Sequence, residues 1–198
     1  MMQSNYDKQP YVAVPNGAGA CVTGWQAVTD RLSKAVAARS MKRIVLTIEC
    51  YTGLHVAEIA EALKVLDPAR VVCSSDAFLA PEVIDAKVAT FNGGDDPVFG
   101  IMNHLRMEDF MDAGKVASLA SEIEQVESGL VIVIGSGASL IHPGDLLVYA
   151  DLARWEAQLR MRRDEISNLG VDNRELKWSL QYKRAYFTDW RVCDRLKR

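Results

Sequence analysis

The chain has 198 residues, of which 49% are hydrophobic and 25% charged, with a formal net charge of −3 and a mean hydropathy of −0.02. That balance excludes a disordered chain and a strongly basic nucleic-acid binder. No apolar run approaches the roughly 18 residues that cross a membrane, and the polar Met1–Pro10 stretch lacks the apolar core of a signal peptide, so a cytoplasmic location is expected.

In chain order, Tyr11–Val14 reads as a short strand ended by the Pro15-Asn16-Gly17 turn. Gly24–Arg39 reads as a helix with Trp25, Val28, Leu32 and Val36 on one stripe. The run Arg43–Ile48 (RIVLTI) is β-branched and bounded on both sides, as a buried strand should be. A helix follows over His55–Leu66, then a short strand over Arg70–Cys73. The stretch Leu79–Gly114 is mixed and holds a Gly93-Gly94-Asp95-Asp96-Pro97 turn; Val116–Val126 is helical. Leu130–Ile134 (LVIVI) is the strongest strand signal, and Gly135-Ser136-Gly137 turns the chain after it. Leu146–Ala150 is a further strand, and Asp151–Ile166 an Arg-rich helix with Leu152, Trp155, Leu159 and Ile166 as its core stripe. This alternation predicts an α/β fold in three layers, with a mainly parallel sheet flanked by helices. It is read as one domain over 1–198, with a strand-helix segment over 1–40 and a basic, aromatic, helical extension over 167–198.

Charge divides unevenly. Residues 1–150 carry 11 basic and 18 acidic side chains, and residues 151–198 carry 12 and 8. A basic quarter behind an acidic body suits an anionic ligand, or is simply a solvated helix face. Tyr182, Tyr186, Phe187 and Trp190 in that quarter either stack on a ligand or pack over the sheet. Cys21, Cys50, Cys73 and Cys193 form no C-x-x-C pair, and Cys50 and Cys73 read as reduced core residues. His55, His104 and His142 have no metal-ligand spacing, so no metal site is expected in this chain.

In parallel sheets ligands bind beyond the strands' C-terminal ends. The loop Pro15–Gly24 has the Walker A glycine separation at Gly19 and Gly24, but Trp25 and Gln26 stand where Lys and Ser/Thr belong. Val22 likewise spoils a G-x-G-x-x-G reading, leaving a flexible connection. The loop Cys50–Ala57 is more informative. Strand, eight-residue loop and helix resemble the phosphate loop of uridine-kinase-like and phosphoribulokinase-like P-loop kinases, with Gly53 as the sole glycine. Val56 and Ala57 replace the Lys that reaches the β/γ-phosphates and the hydroxyl that holds magnesium. Ser75-Asp76-Ala77-Phe78 resembles those kinases' Asp-Asp-Phe-Tyr, which makes Asp76 the base if the domain is an active kinase. Val131–Gly135 resembles their Val-Ile-Val-Glu-Gly, with Ile134 in place of the acid, and Arg160–Asp164 resembles their lid helix. The resemblance implies a degenerate kinase fold in which Thr52, Gly53, His55, Arg160 and Arg163 surround a phosphate.

The phrases Ile48–Gly53, Gly137–Ile141, Leu147–Glu156 and Tyr182–Asp194 are similar to the N-terminal portion of bacterial class I mannose-6-phosphate isomerases. In that family a kinase-like domain precedes a cupin isomerase domain that carries the zinc. The resemblance implies a ligand-binding or regulatory domain without turnover of its own and without a cofactor in this chain. An active phosphotransferase with an altered loop is the alternative, and a purely structural dimerisation module a third. Expected partners are a phosphorylated small molecule or nucleotide and a cupin domain downstream in cis. A homo-oligomer is compatible with the sequence; nucleic acid and membrane are not expected. The ending Arg191–Arg198, without a Gly or Pro terminator, suits a chain that continues.

Overall fold

The computed structural model describes residue 7, residues 10–94 and residues 96–197. Most of the Met1–Pro10 stretch, Asp95 of the expected Gly93–Pro97 turn, and Arg198 lie outside the described residues. Four strands form one sheet: β1 (Arg43–Cys50), β2 (Arg70–Cys73), β3 (Gly129–Gly135) and β4 (Leu146–Ala150). Their order is β2-β3-β1-β4 and every pairing is parallel, with Ile44 opposite Leu130 and Thr47 opposite Leu147.

Both faces of this sheet are covered, which is why β1 and β3 read as near-continuous apolar runs. Alternation along the strands feeds two cores. Ile44, Leu46, Ile48, Leu130, Ile132 and Ile134 face α1 (Trp25–Ala37) and α2 (Val56–Leu63) through Leu32, Val36, Ile59 and Leu63. Val45, Val131 and Val133 face the other way. That side is built from α3 (Pro81–Ala89), α4 (Ala113–Glu124), α5 (Ala138–Ile141) and α6 (Arg154–Arg162), then α7 (Trp178–Arg184) and α8 (Trp190–Leu196). A π-helical turn over Ala185–Asp189 joins α7 to α8, so the basic extension is helical as expected. Thr47, a fully buried polar residue within β1, is satisfied by donating to the His142 carbonyl at 2.9 Å.

Two expectations are corrected. Tyr11–Val14 forms no strand: the segment is exposed, and only its turn exists, closed by Gly17 N–H donating to the Val14 carbonyl at 3.1 Å. Four apolar residues without a neighbouring strand have nothing to pair with. The helix expected over Asp151–Ile166 spans only Arg154–Arg162, because Asp164 turns left-handed at φ 54°. Trp155, within that helix, is 63% exposed rather than part of a core stripe. The helix expected over His55–Leu66 is present, running as α2 and then as a 3₁₀ turn over Lys64–Leu66 that stops at Asp67, left-handed ahead of Pro68. No helix among the described residues is long and apolar enough to cross a membrane.

Candidate functional site

The chain leaves β1 toward α2 on one face and leaves the adjacent β3 toward α5 on the other. The loops therefore part above the C-terminal ends of β1 and β3, the switch point where open α/β sheets take ligands. A cavity of 190 Å³ lies there. Thr52 and Gly53 from the β1 loop, Ser74 and Ser75 beyond β2, Ser136 beyond β3, and Asn168 close around it. Its polar side chains are hydroxyls and amides, and none of its lining residues is charged.

Hydrogen bonds among these loops hold the strand ends together. Ser74 Oγ donates to the Ser136 carbonyl at 2.8 Å, and Ser136 Oγ donates to the Cys50 carbonyl at 2.8 Å. The close approach needs a glycine at 135, where φ is +126° and a Cβ would collide with Ser74 Oγ. Glu49, the last acidic residue of β1, is 4% exposed and turns its carboxylate into the loop after β3. There it accepts from Gly137 N–H at 2.7 Å, Ser139 N–H at 2.9 Å and Ser139 Oγ at 2.8 Å. Burial pushes its pKa up against the pull of those donors. A carboxylate so engaged shapes the loop and is not presented to the cavity as a base.

The loop's other side is clamped from the C-terminal helices. Tyr51 Oη donates to Asp194 at 2.9 Å, and Arg154 holds the same carboxylate at 2.5 Å. Burial raises the Tyr51 pKa, keeping the phenol protonated as donor. Gly53, at φ +95°, lies beneath Ile166 and Leu152, where a Cβ would come within 3.1 Å and 3.3 Å of their methyls.

Arg160 donates to the Gly53 carbonyl at 3.0 Å and to Glu156 at 3.1 Å. Arg163 grips Glu165 through two bonds of 2.6 and 3.0 Å and reaches Glu156 at 3.2 Å. His55 Nε2 lies 3.6 Å from Glu165. Arg160 and Arg163 hold the Glu156 carboxyl below the ordinary glutamate range, and Arg163 does the same for Glu165. Of the residues predicted for the site, Thr52 and Gly53 line the cavity, while His55, Arg160 and Arg163 gather beside it, each facing a glutamate. Asp76 stands apart, exposed on the 3₁₀ turn Ser74–Ala77 and outside the cavity lining. Val56 presents an apolar side chain to the cavity.

Sequence reasoning missed Glu49, Ser74, Ser136 and Asn168. Only Glu49 left a usable sign, an acid at the exit of a buried strand. The serines act on backbone carbonyls of distant loops, which no local pattern records. No group of three or more His, Cys, Asp or Glu able to hold a metal occurs among the described residues.

These features define a three-layer α/β protein with an uncharged cavity at the switch point of a parallel sheet. The chain belongs to the family described as a domain of unknown function (DUF8485), which it matches over residues 24–198, from the N-cap of α1 onward. No curated protein and no solved structure matches it.

Proposed function

We propose that this chain is a kinase-like domain that binds a small sugar phosphate at the switch point without transferring the phosphoryl group. The observation that carries the reading is the cavity's place at the switch point, where Thr52 and Ser75 bring hydroxyls into a largely apolar lining, with Arg160 and Arg163 on its flank. The sugar would take the hydroxyl-lined pocket, and its phosphate would compete with Glu156 and Glu165 for the arginines. At 190 Å³ the cavity is smaller than the about 300–1,000 Å³ of typical drug-sized ligand sites. That size favours a sugar over a nucleoside triphosphate. Val56 and Ala57 offer neither a phosphate-gripping ammonium nor a magnesium ligand. In the mannose-6-phosphate isomerase-type proteins that the sequence resembles, such a domain would sense substrate or product for a cupin domain in the same chain.

Calorimetry with mannose 6-phosphate, fructose 6-phosphate, the unphosphorylated sugars and ATP with magnesium tests this. A sugar phosphate should bind more tightly than its sugar, and exchanging Arg160 and Arg163 together for Ala should remove that advantage without unfolding the chain. ATP with magnesium should bind at the cavity no better than about millimolar, near −4 kcal/mol. Equal binding of sugar and sugar phosphate, or an unaffected double variant, would refute the phosphate site. Micromolar ATP with phosphoryl transfer would instead make the domain a phosphotransferase.

A further inference from the structure

A second cavity, of 650 Å³, lies on the far side of α6 and has no part in the reading above. One wall is α7 and the π-helical turn after it, which bring Tyr182, Tyr186 and Phe187 together. The tyrosine rings stack at 6.2 Å, and Tyr186 meets Phe187 edge-on at 5.1 Å. The opposite wall is the Pro97–Phe99 segment with Met102, where Phe99 is 71% exposed. An extra residue in a helical turn is a device often found at functional sites. Here it sets two successive aromatic side chains, Tyr186 and Phe187, into one cavity.

The charges in this cavity are unlike those at the switch point. No lining residue is acidic, yet two are basic. Arg162 lies over the Trp178 ring at 4.4 Å and, among the described residues, has no carboxylate partner, in contrast to Arg160 and Arg163. Lys183 is only 6% exposed, and its ammonium donates to the Asp96 carbonyl. The Asp96 carboxylate itself accepts from Val98 and Phe99 N–H at 2.8 and 2.7 Å; the Lys183 charge helps to hold its pKa down, but the ammonium bonds the Asp96 carbonyl rather than the carboxylate. An ammonium has three protons to donate, and a buried one gains from a further acceptor beyond the Asp96 carbonyl.

We propose that this cavity binds a planar aromatic acid, its ring held among Phe99, Tyr182 and Tyr186 and its charge balanced by Lys183 and Arg162. The volume lies within the range of small-molecule sites. Rings on the walls favour a flat aromatic body through offset and edge contacts. The two cations, without acidic neighbours in the lining, select an anion over a neutral or positive ligand.

The test uses the full chain and three probes: 2-naphthoate, its neutral counterpart 2-naphthamide, and cyclohexanecarboxylate, which keeps the charge without the aromatic ring. Calorimetry gives affinity, and quenching of tryptophan fluorescence, lost in Trp178→Phe, reports binding at this cavity. Naphthoate should saturate below about millimolar, with each of the other two at least about tenfold weaker, a difference of about 1.4 kcal/mol. Arg162→Gln should weaken naphthoate about tenfold; Arg163→Gln, whose side chain serves the other site, should leave it unchanged. Because Arg162 is exposed, the variant's fold is not at stake, and circular dichroism verifies it. Equal affinity for acid and amide, or no saturation by naphthoate, would overturn the proposal. Sensitivity to Arg163→Gln in place of Arg162→Gln would move the acid to the switch point and sink it too. Occupation of the cavity by a second copy, seen as a dimer that Phe99→Ala dissociates, would also overturn it.

Discussion

Removing the Glu49 carboxylate is the sharpest test of how the cavity is built. In Glu49→Ala, the Gly137 and Ser139 amides both lose their acceptor, the first buried and the second partly so. An orphaned buried donor costs about 1–3 kcal/mol, and the Ser139 hydroxyl can rotate toward another acceptor. Relief of the carboxylate's own burial offsets part of the loss, which leaves a net destabilisation of about 2–4 kcal/mol. For a chain of this size that lowers Tm by about 5–15 °C. Urea titration followed by circular dichroism measures it, and sugar-phosphate affinity should fall in the same samples as the Gly135–Gly137 loop loosens. Glu49→Gln, which keeps the shape and one acceptor, should lie between. Its pH dependence has a defined sign. Burial raises the Glu49 pKa in the folded state, so folding favours the protonated form. The stability this contributes is complete below the unfolded value of about 4.5 and is lost as pH rises through the folded value. The gap between wild type and Glu49→Gln should therefore widen on acidification. A loss below about 0.5 kcal/mol in Glu49→Ala, within the range of ordinary surface substitutions, would refute the structural role.

Gly53→Ala must take up φ +95° and press a methyl within 3.1 Å of Ile166; a loss of about 1–3 kcal/mol by urea titration is expected. Thiol titration of the native chain should find one fast cysteine, exposed Cys21, and a slower Cys73, while Cys50 and Cys193 react only in denaturant. Burial pushes the Cys50 thiol up to about 12, which withholds its thiolate at neutral pH. The 198-residue chain should show no conversion of mannose 6-phosphate to fructose 6-phosphate in a coupled assay, with or without zinc. Metal-dependent turnover abolished by a chelator would place an isomerase site here.

The sheet was legible because its central strands are buried on both faces, so LVIVI is wholly apolar and RIVLTI is broken only by Thr47 after its leading arginine. Tyr11–Val14 offers the same local signal, but strand formation needs a neighbour, and the sheet places none beside it. Helix spacing placed Trp155 and Ile166 on one stripe only if the helix ran through both; the left-handed turn at Asp164 breaks that phase. Spacing placed Arg160 and Arg163 on one face, and both reach Glu156. Their neutralisation was not legible, because Glu165 returns to Arg163 only after the helix has ended. In the aromatic run of the tail, Trp190 is buried, as packing over the sheet requires, while Tyr182, Tyr186 and Phe187 line a cavity.

The pairing of Arg160 and Arg163 with glutamates bears directly on phosphate recognition. Glu156 and Glu165 are each more than one-third exposed, and ion pairs so open to solvent contribute little. Displacing them costs little, whereas a phosphate offers three acceptor oxygens and up to two charges to the same guanidinium groups. On the proposed reading the glutamates would raise the threshold for entry: a neutral sugar would gain nothing from the arginines, and a monoanion would merely exchange one negative charge for another. A dianionic phosphate ester would gain a net charge interaction. The same reasoning fixes how affinity responds to salt. Because the contacts exchanged are partly exposed, the preference for sugar phosphate over sugar should shrink as ionic strength rises and the Debye length falls to about 3 Å at 1 M, leaving the hydroxyl-lined cavity to bind both alike.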